Sequence, residues 1–404
     1  ALTRAVLLRV GVAALALAGT LASPAAAQQG PPQDLPAASW ILIDAGSGDV
    51  LAERSPGAAR PIASATKLMT AYLALRRLRP GERVVAPPYA AGPAESLMGL
   101  RAGEEVSARD LLYGALLPSG NDAAAALAQA TSGSIPEFVK LMNRTAARLD
   151  LEDTAFGDPI GLDPASVSSA ADLVRLTLRL RESALFRRIV DTPQKTLSSG
   201  EVTRTVTNRN TLVLRYPWVD GVKTGRTLDA GYVLVASGER RGVELVSAVL
   251  GAPSEAARDS ASLALLEYGR SLYRVRRPVA DGERIASPEI RFQDGERLAL
   301  VAQGGVELAA RDDQRLTVDV DAPAEVEGPI DRGERLGAAV VTLDGEKVDE
   351  VPLVASRAVA RASFVERADA AVPGGRLALW GALVLALVAA FALSRAAVQR
   401  LRPR

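Results

Sequence analysis

Histidine and cysteine are absent from all 404 residues. Without them the chain cannot assemble a Ser-His-Asp triad, a thiol nucleophile, or a metal site ligated by imidazole or thiolate. Disulfides are excluded too, so thiol usage says nothing of redox compartment. An excess of charge of one sign is also lacking. The 48 Lys and Arg against 47 Asp and Glu leave a net +1, without the basic surplus of a phosphate-binding surface, so nucleic acid is not expected as a partner. Lysine is scarce: only Lys67, Lys140, Lys195, Lys223 and Lys347 stand among the 48 basic residues. Unlike arginine, lysine can lose a proton near neutral pH, so each of the five is a candidate for chemistry a guanidinium cannot do. What remains is 48% hydrophobic and 24% charged, ordinary globular composition with room for two domains.

Both ends suggest a membrane. Arg4 and Arg9 precede an apolar run at 10–21, small residues ending in Ala25-Ala26-Ala27, and polar Gln28-Gln29, the anatomy of a signal peptide spanning 1–27. Residues 377–394 carry no charge between Arg376 and Arg395 and are about long enough for one bilayer-crossing helix, followed by a cytoplasmic tail at 395–404. Arginines balance on its two sides, so orientation rests on the signal peptide, which places the bulk outside the membrane of a single-pass protein.

Between the ends, 28–37 is a Gln- and Pro-rich linker, and 38–53 alternates apolar and polar residues about Ala45-Gly46-Ser47-Gly48, a hairpin signal. Helical spacing follows from Ser64 to Pro80-Gly81, then at 106–117, 122–130, 135–149 and 170–180. Strand-like runs return at 219–222, 232–236 and 243–251, with a closing helix at 260–268. Helices enclosed by strands indicate an α/β domain over 38–272, a mixed sheet flanked by helices. After about residue 274 short β-like runs dominate and no helix is expected before 377. Residues 340–353 around Asp344-Gly345 form the clearest hairpin, so 273–356 reads as a small all-β domain, with a linker at 357–376.

With histidine and cysteine excluded, a covalent mechanism must pair a hydroxyl with another base, and an unprotonated lysine is the alternative. Ser64-Ala65-Thr66-Lys67 opens the first helix, where an i, i+3 pair shares one face and the helix N-terminus favours developing negative charge. The same spacing also suits an ordinary exposed lysine. Ser119-Gly120-Asn121 offers a hydroxyl and an amide for proton relay and carbonyl binding, or equally a plain helix N-cap. Lys223-Thr224-Gly225 stands where the strand at 219–222 runs out. Glycine on a strand edge admits a peptide alongside, and the lysine and threonine offer a cation and a hydroxyl to a carboxylate.

These three motifs, in this order, resemble those of the serine D-alanyl-D-alanine carboxypeptidases, the low-molecular-mass penicillin-binding proteins. The resemblance extends through Leu97-Met98-Gly99-Leu100-Arg101-Ala102-Gly103-Glu104, Asn208-Arg209-Asn210 and Asp220-Gly221-Val222-Lys223, and covers roughly 38–267. It implies a serine transpeptidase-like fold. It further implies that Ser64 is acylated by the penultimate D-alanine of a peptidoglycan stem peptide, that the last D-alanine leaves, and that water frees the enzyme. By the same resemblance Lys67 is the base, and Ser119 and Asn121 assist proton movement. Lys223, Thr224 and Arg209 receive the terminal carboxylate, and the backbone N–H groups of Ser64 and Arg226 form the oxyanion hole. β-Lactam antibiotics would be covalent inhibitors, and neither metal nor cofactor is expected. Many relatives carry histidine where this chain has Arg226, which brings a fixed charge near the cleft.

Two rivals compete on the same residues. A β-lactamase shares the first and third motifs, but here the second is S-G-N, not S-D-N, and no E-x-x-L-N segment supplies the class A deacylating carboxylate. The other is a catalytically silent wall-binding or scaffolding protein whose cleft only recognises peptide.

Overall fold

The computed structural model describes residues 30–400 apart from 33, 294 and 372–374. The expected signal peptide at 1–27 and the end of the expected tail lie outside the described residues.

The sheet expected to be mixed is instead antiparallel throughout, its five strands in the order Val50–Arg54, Ser39–Asp44, Val243–Ala252, Gly231–Arg240, Val219–Thr227. Alternation along each strand decides its two faces. Ile41, Ile43, Val233, Val235, Val246 and Ala248 point into a core shared with the helices that intervene in sequence. Trp40, Leu42, Leu234, Ala236, Leu245 and Val249 point the other way, onto Ala261, Leu265 and Leu266 of the helix Glu255–Ser271. Each fully buried Leu or Val stabilises the fold by roughly 1.5–3 kcal/mol. The sheet is therefore the middle layer of this domain, with a core on each face.

The intervening helices start where the sequence supplies caps. Ser107, Ser134 and Ser169 accept the N–H of Asp110, Glu137 and Asp172 and open Ala108–Leu116, Ile135–Arg148 and Ala170–Arg181. Gly133, at φ 78°, ends the alanine-rich helix Asn121–Ser132. Several expectations shift. The first helix is a 3₁₀ turn, Ala63–Thr66, continued by the α-helix Lys67–Arg77. The strand expected at 219–222 continues to Thr227, so the K-T-G motif lies inside the edge strand and not at its end. The closing helix begins at Glu255, five residues before the expected start. A short helix, Ala184–Val190, and a hairpin, Gln194–Leu197 with Arg204–Thr207, were not anticipated.

Behind this domain the β-rich region forms a second five-stranded sheet, ordered Arg284–Ala286, Leu300–Ala302, Glu346–Ala355, Arg335–Leu343, Leu316–Asp321, around its own core. Asp344 and Gly345 both have positive φ, as a tight two-residue hairpin turn requires. Arg311, buried at the end of Val306–Arg311, joins the two domains. It reaches Asp49 at 2.5 Å and the Tyr273 hydroxyl at 3.0 Å, and that hydroxyl donates to Asp44. The expectation of no helix before 377 is corrected by Phe364–Ala371. The stretch expected to cross a bilayer lies in the helix Gly375–Arg400, but among the described residues no helix is long and apolar enough to cross a membrane.

Candidate active site

Ser64 lies in the 3₁₀ turn, where side chains at i and i+3 eclipse, so Lys67 at the start of the α-helix stacks directly on it. The Nζ to Oγ distance is 2.9 Å. Two glycines let other segments press against this turn. A Cβ at residue 161 would lie 1.9 Å from the Ala63 carbonyl oxygen, and one at residue 225 would lie 2.8 Å from that of Ile62 and 3.2 Å from the Ser64 nitrogen. Held so closely, Ala63 adopts φ 48°, a left-handed conformation that is uncommon without glycine and that recurs at functional sites.

Lys67 is fully buried. Its Nζ also approaches the Asn121 Oδ1 at 2.6 Å and the Ile160 carbonyl at 2.8 Å. Burial lowers its pKa to about 7, against the pull of Asp158, Glu95 and Asp122, and Arg209 lowers it further. In the neutral form two N–H groups serve Asn121 and Ile160, and the lone pair faces the Ser64 hydroxyl. The Ile160 carbonyl is held in place because the Asp158 carboxylate accepts the backbone N–H groups of residues 160–163.

The second motif does not act as a side-chain cap. Gly120 is the N-cap residue without any side-chain bond, and Ser119, at φ 65°, has a buried Oγ with no hydrogen-bond partner. Asn121 instead bridges Lys67 and Glu95, to which its Nδ2 donates at 2.7 Å. Asp122 accepts the N–H groups of Met98, Gly99 and Leu100 and so fixes the segment that the resemblance singles out.

From the third motif, Thr224 and Gly225, followed by Arg226, line a cavity of about 400 Å³ together with Ser64, Ser119 and Arg209. Lys223 is placed differently. Its fully buried Nζ donates to the Thr224 carbonyl at 2.9 Å and does not line that cavity. Burial holds its pKa well below the ordinary value, helped by Lys67, Arg209 and Arg258. Arg226 is exposed, its guanidinium 5.4 Å over the Tyr232 ring. Arg209 is presented by a turn in which Asn210 donates to the Gly221 carbonyl of the K-T-G strand at 2.6 Å.

Sequence reasoning missed Glu95, Tyr89, Asp158 and Gly161, which reach the site only through folding, and Arg258, buried in the cavity wall and paired there with Glu255 and Asp259. The arrangement combines a hydroxyl, a titratable amine against it, a buried unpaired hydroxyl, and arginines that favour a carboxylate. That is the equipment of an acyl transfer to serine with a lysine base.

Comparison with known proteins agrees. Residues 25–254 match the family described as D-alanyl-D-alanine carboxypeptidase, and residues 273–361 match the penicillin-binding protein 5 C-terminal domain. The chain is 33% identical over 361 residues to D-alanyl-D-alanine carboxypeptidase DacA of Escherichia coli, covering 83% of this chain and 86% of that protein. It is 29% identical over 339 residues to DacF of Bacillus subtilis, covering 81% and 87%. Among solved structures, penicillin-binding protein 5 of Haemophilus influenzae superposes with a TM-score of 0.57 at 29% identity, covering 82% of this chain and 99% of that one. The Streptomyces K15 DD-transpeptidase does so with 0.56 at 32%, covering 60% and 99%. The chain thus belongs to the D-alanyl-D-alanine carboxypeptidase family of serine hydrolases, with a penicillin-binding protein 5 C-terminal domain behind its catalytic domain.

Proposed function

We propose that this enzyme removes the terminal D-alanine of peptidoglycan stem pentapeptides through an acyl-enzyme on Ser64. The observation that carries the reading is a fully buried Lys67 whose Nζ stands 2.9 Å from the Ser64 Oγ and whose pKa is near 7. Neutral Lys67 takes the hydroxyl proton as Oγ attacks the penultimate carbonyl carbon. The backbone N–H groups of Ser64 and Arg226 receive the oxyanion, which the close approach of Gly225 to the Ser64 nitrogen supports. The C–N bond to the last D-alanine breaks, and its nitrogen takes the proton that Lys67 accepted, relayed by Ser119, which returns Lys67 to its neutral form. Arg209 and Thr224 hold the D-alanine carboxylate, and Lys223 supports the strand from within by donating to the Thr224 carbonyl. Asn121 positions Lys67, and water then hydrolyses the ester with Lys67 as base. A β-lactam would be attacked in the same way and remain as a penicilloyl ester.

Two assays on the full chain test this. The enzyme should release D-alanine from a peptide ending in two D-alanines and take a fluorescent penicillin on Ser64. Ser64→Ala should abolish both while leaving the melting temperature within a few degrees. A penicilloyl adduct found by mass spectrometry on any other residue would overturn the assignment.

We further propose that the catalytic domain works outside the cytoplasm and is tied to the bacterial cell membrane through 377–394. The support is the uncharged stretch between Arg376 and Arg395, with Trp380, Leu383, Leu387 and Phe391 exposed. Deleting 364–404 should move the protein from the membrane pellet to the soluble fraction, and a variant that still pellets would sink the idea.

A further inference from the structure

Asn121 must present its oxygen, not its nitrogen, to Lys67, because an amine with two or three N–H groups has no use for another donor there. Nothing on Asn121 itself fixes that choice, since an amide turned by 180° occupies the same space. The choice is made one residue further out. Glu95, an acceptor only when ionised, takes the Asn121 Nδ2 at 2.7 Å on its Oε2. A turned amide would set oxygen against carboxylate at a half-buried contact and N–H against N–H at the buried Lys67, two repulsive contacts.

Glu95 is itself held. The Tyr89 hydroxyl donates to its Oε2, and the Gly92 backbone N–H donates to its Oε1 at 2.7 Å. The Ser96 carbonyl next to it accepts the Asn121 backbone N–H at 2.8 Å, so the two residues are joined through main chain as well. Burial works to raise the pKa of Glu95, but the hydrogen bonds from Tyr89, Asn121 and Gly92 and the charge of Lys67 outweigh it, so the carboxyl stays ionised. Burial and the adjacent Glu95 push Tyr89 above its ordinary range, so it stays a donor.

We propose that Glu95 is a positioning residue of the acylation step: through Asn121 it aims the carbonyl that orients Lys67, and it keeps a negative charge beside that lysine. The inference rests on the reading of Lys67 as the base. The groups facing Lys67 are Asp158, Glu95 and Asp122, which favour its charged form, Arg209, which disfavours it, and the buried amine of Lys223. Of the three carboxylates, Asp158 is taken up by four backbone N–H groups and Asp122 by the 98–100 segment. Glu95 alone reaches Lys67 through a single side chain. Removing its charge makes Lys67 easier to deprotonate, so the acid limb of the rate profile moves to lower pH.

The test follows penicillin acylation and D-alanine release by the full chain from pH 5 to 9. Glu95→Gln keeps an oxygen for Asn121 and Tyr89 but not the charge. It should hold most of the plateau rate while its acid limb falls by about half a pH unit or more. Glu95→Ala loses the orientation too and should lower kcat about tenfold or more, with KM within about twofold. Tyr89→Phe, which leaves Asn121 and Glu95 in place, should lower kcat by a few-fold and covers the case in which a Glu95 variant fails to fold. If folded Glu95 variants keep the wild-type pH profile and kcat, or Tyr89→Phe does where they do not fold, the proposal is wrong. If the wild-type enzyme is not acylated on Ser64, or Lys67→Arg acylates normally, the functional reading has failed instead.

Discussion

At the scale of single residues, local spacing carried part of the site and hid the rest. Ser64 and Lys67 stand out because three positions along one turn bring a hydroxyl under an amine, and because lysine is so rare here. Ser119 and Asn121 could be noticed but not interpreted, since a cap and a relay use the same residue types. The choice between them came only with a hydroxyl buried without a partner and an amide aimed at Lys67. Glu95 and Asp158 left no pattern, because each meets the site across a long loop of sequence. The chemistry at this scale turns on the titration of Lys67. Below its pKa of about 7 it is an ammonium that cannot accept the Ser64 proton, so acylation should rise with pH through about 7 and then level off. Lys67→Arg keeps the positive charge and removes the titration, and should slow acylation by about 10²-fold or more at pH 7.5, measured by stopped-flow with a chromogenic β-lactam.

Among the elements, those with a clear apolar period were legible. The strands Ser39–Asp44 and Val243–Ala252 alternate between two cores, and three of the central helices begin at serine caps. The K-T-G strand was read too short because Lys223, Thr224 and Gly225 interrupt its apolar pattern, whereas pairing with Gly231–Arg240 carries it on to Thr227. The Gln194–Leu197 and Arg204–Thr207 hairpin was missed for a related reason: its outward residues are polar and only Leu197 and Val206 are buried. That hairpin is nevertheless fastened to the site. Arg204 forks onto buried Glu104 at 2.6 and 2.7 Å and reaches the Gly99 carbonyl at 2.7 Å, holding the 97–104 segment. The Arg204 guanidinium pulls the Glu104 pKa from 4.5 to about 2. Because the folded value is the lower one, its stabilisation is complete above pH 4.5 and is lost as pH falls toward 2, on the order of 3 kcal/mol. Urea unfolding at pH 5 and pH 2.5 should show that loss in the wild type, and Glu104→Gln, less stable at pH 5, should show a smaller change between the two.

For the molecule as a whole, the division into an α/β domain and an all-β domain followed from texture alone, helical periods giving way to short strands after residue 274. The junction did not, since Arg311, Asp44, Asp49 and Tyr273 come from distant positions and look like surface charges one by one. Arg311→Ala would leave Asp44 without that partner in a buried place, so the domains should loosen without loss of the catalytic cleft. Limited proteolysis near residue 272 should speed up several-fold while D-alanine release from a short soluble peptide stays within about twofold; equal cleavage rates would refute the role given to Arg311. One last consequence follows from the order of the first sheet. Val219–Thr227 is an outermost strand, with no further strand paired to its outer side among the described residues. An edge of that kind is also an invitation to self-association, because a second molecule could add a strand to it. Arg226 stands exposed on that border, and in a register that set it opposite its counterpart in a second copy, like charges would oppose the contact. In that register the cleft's own arginine works against polymerisation through its doorway.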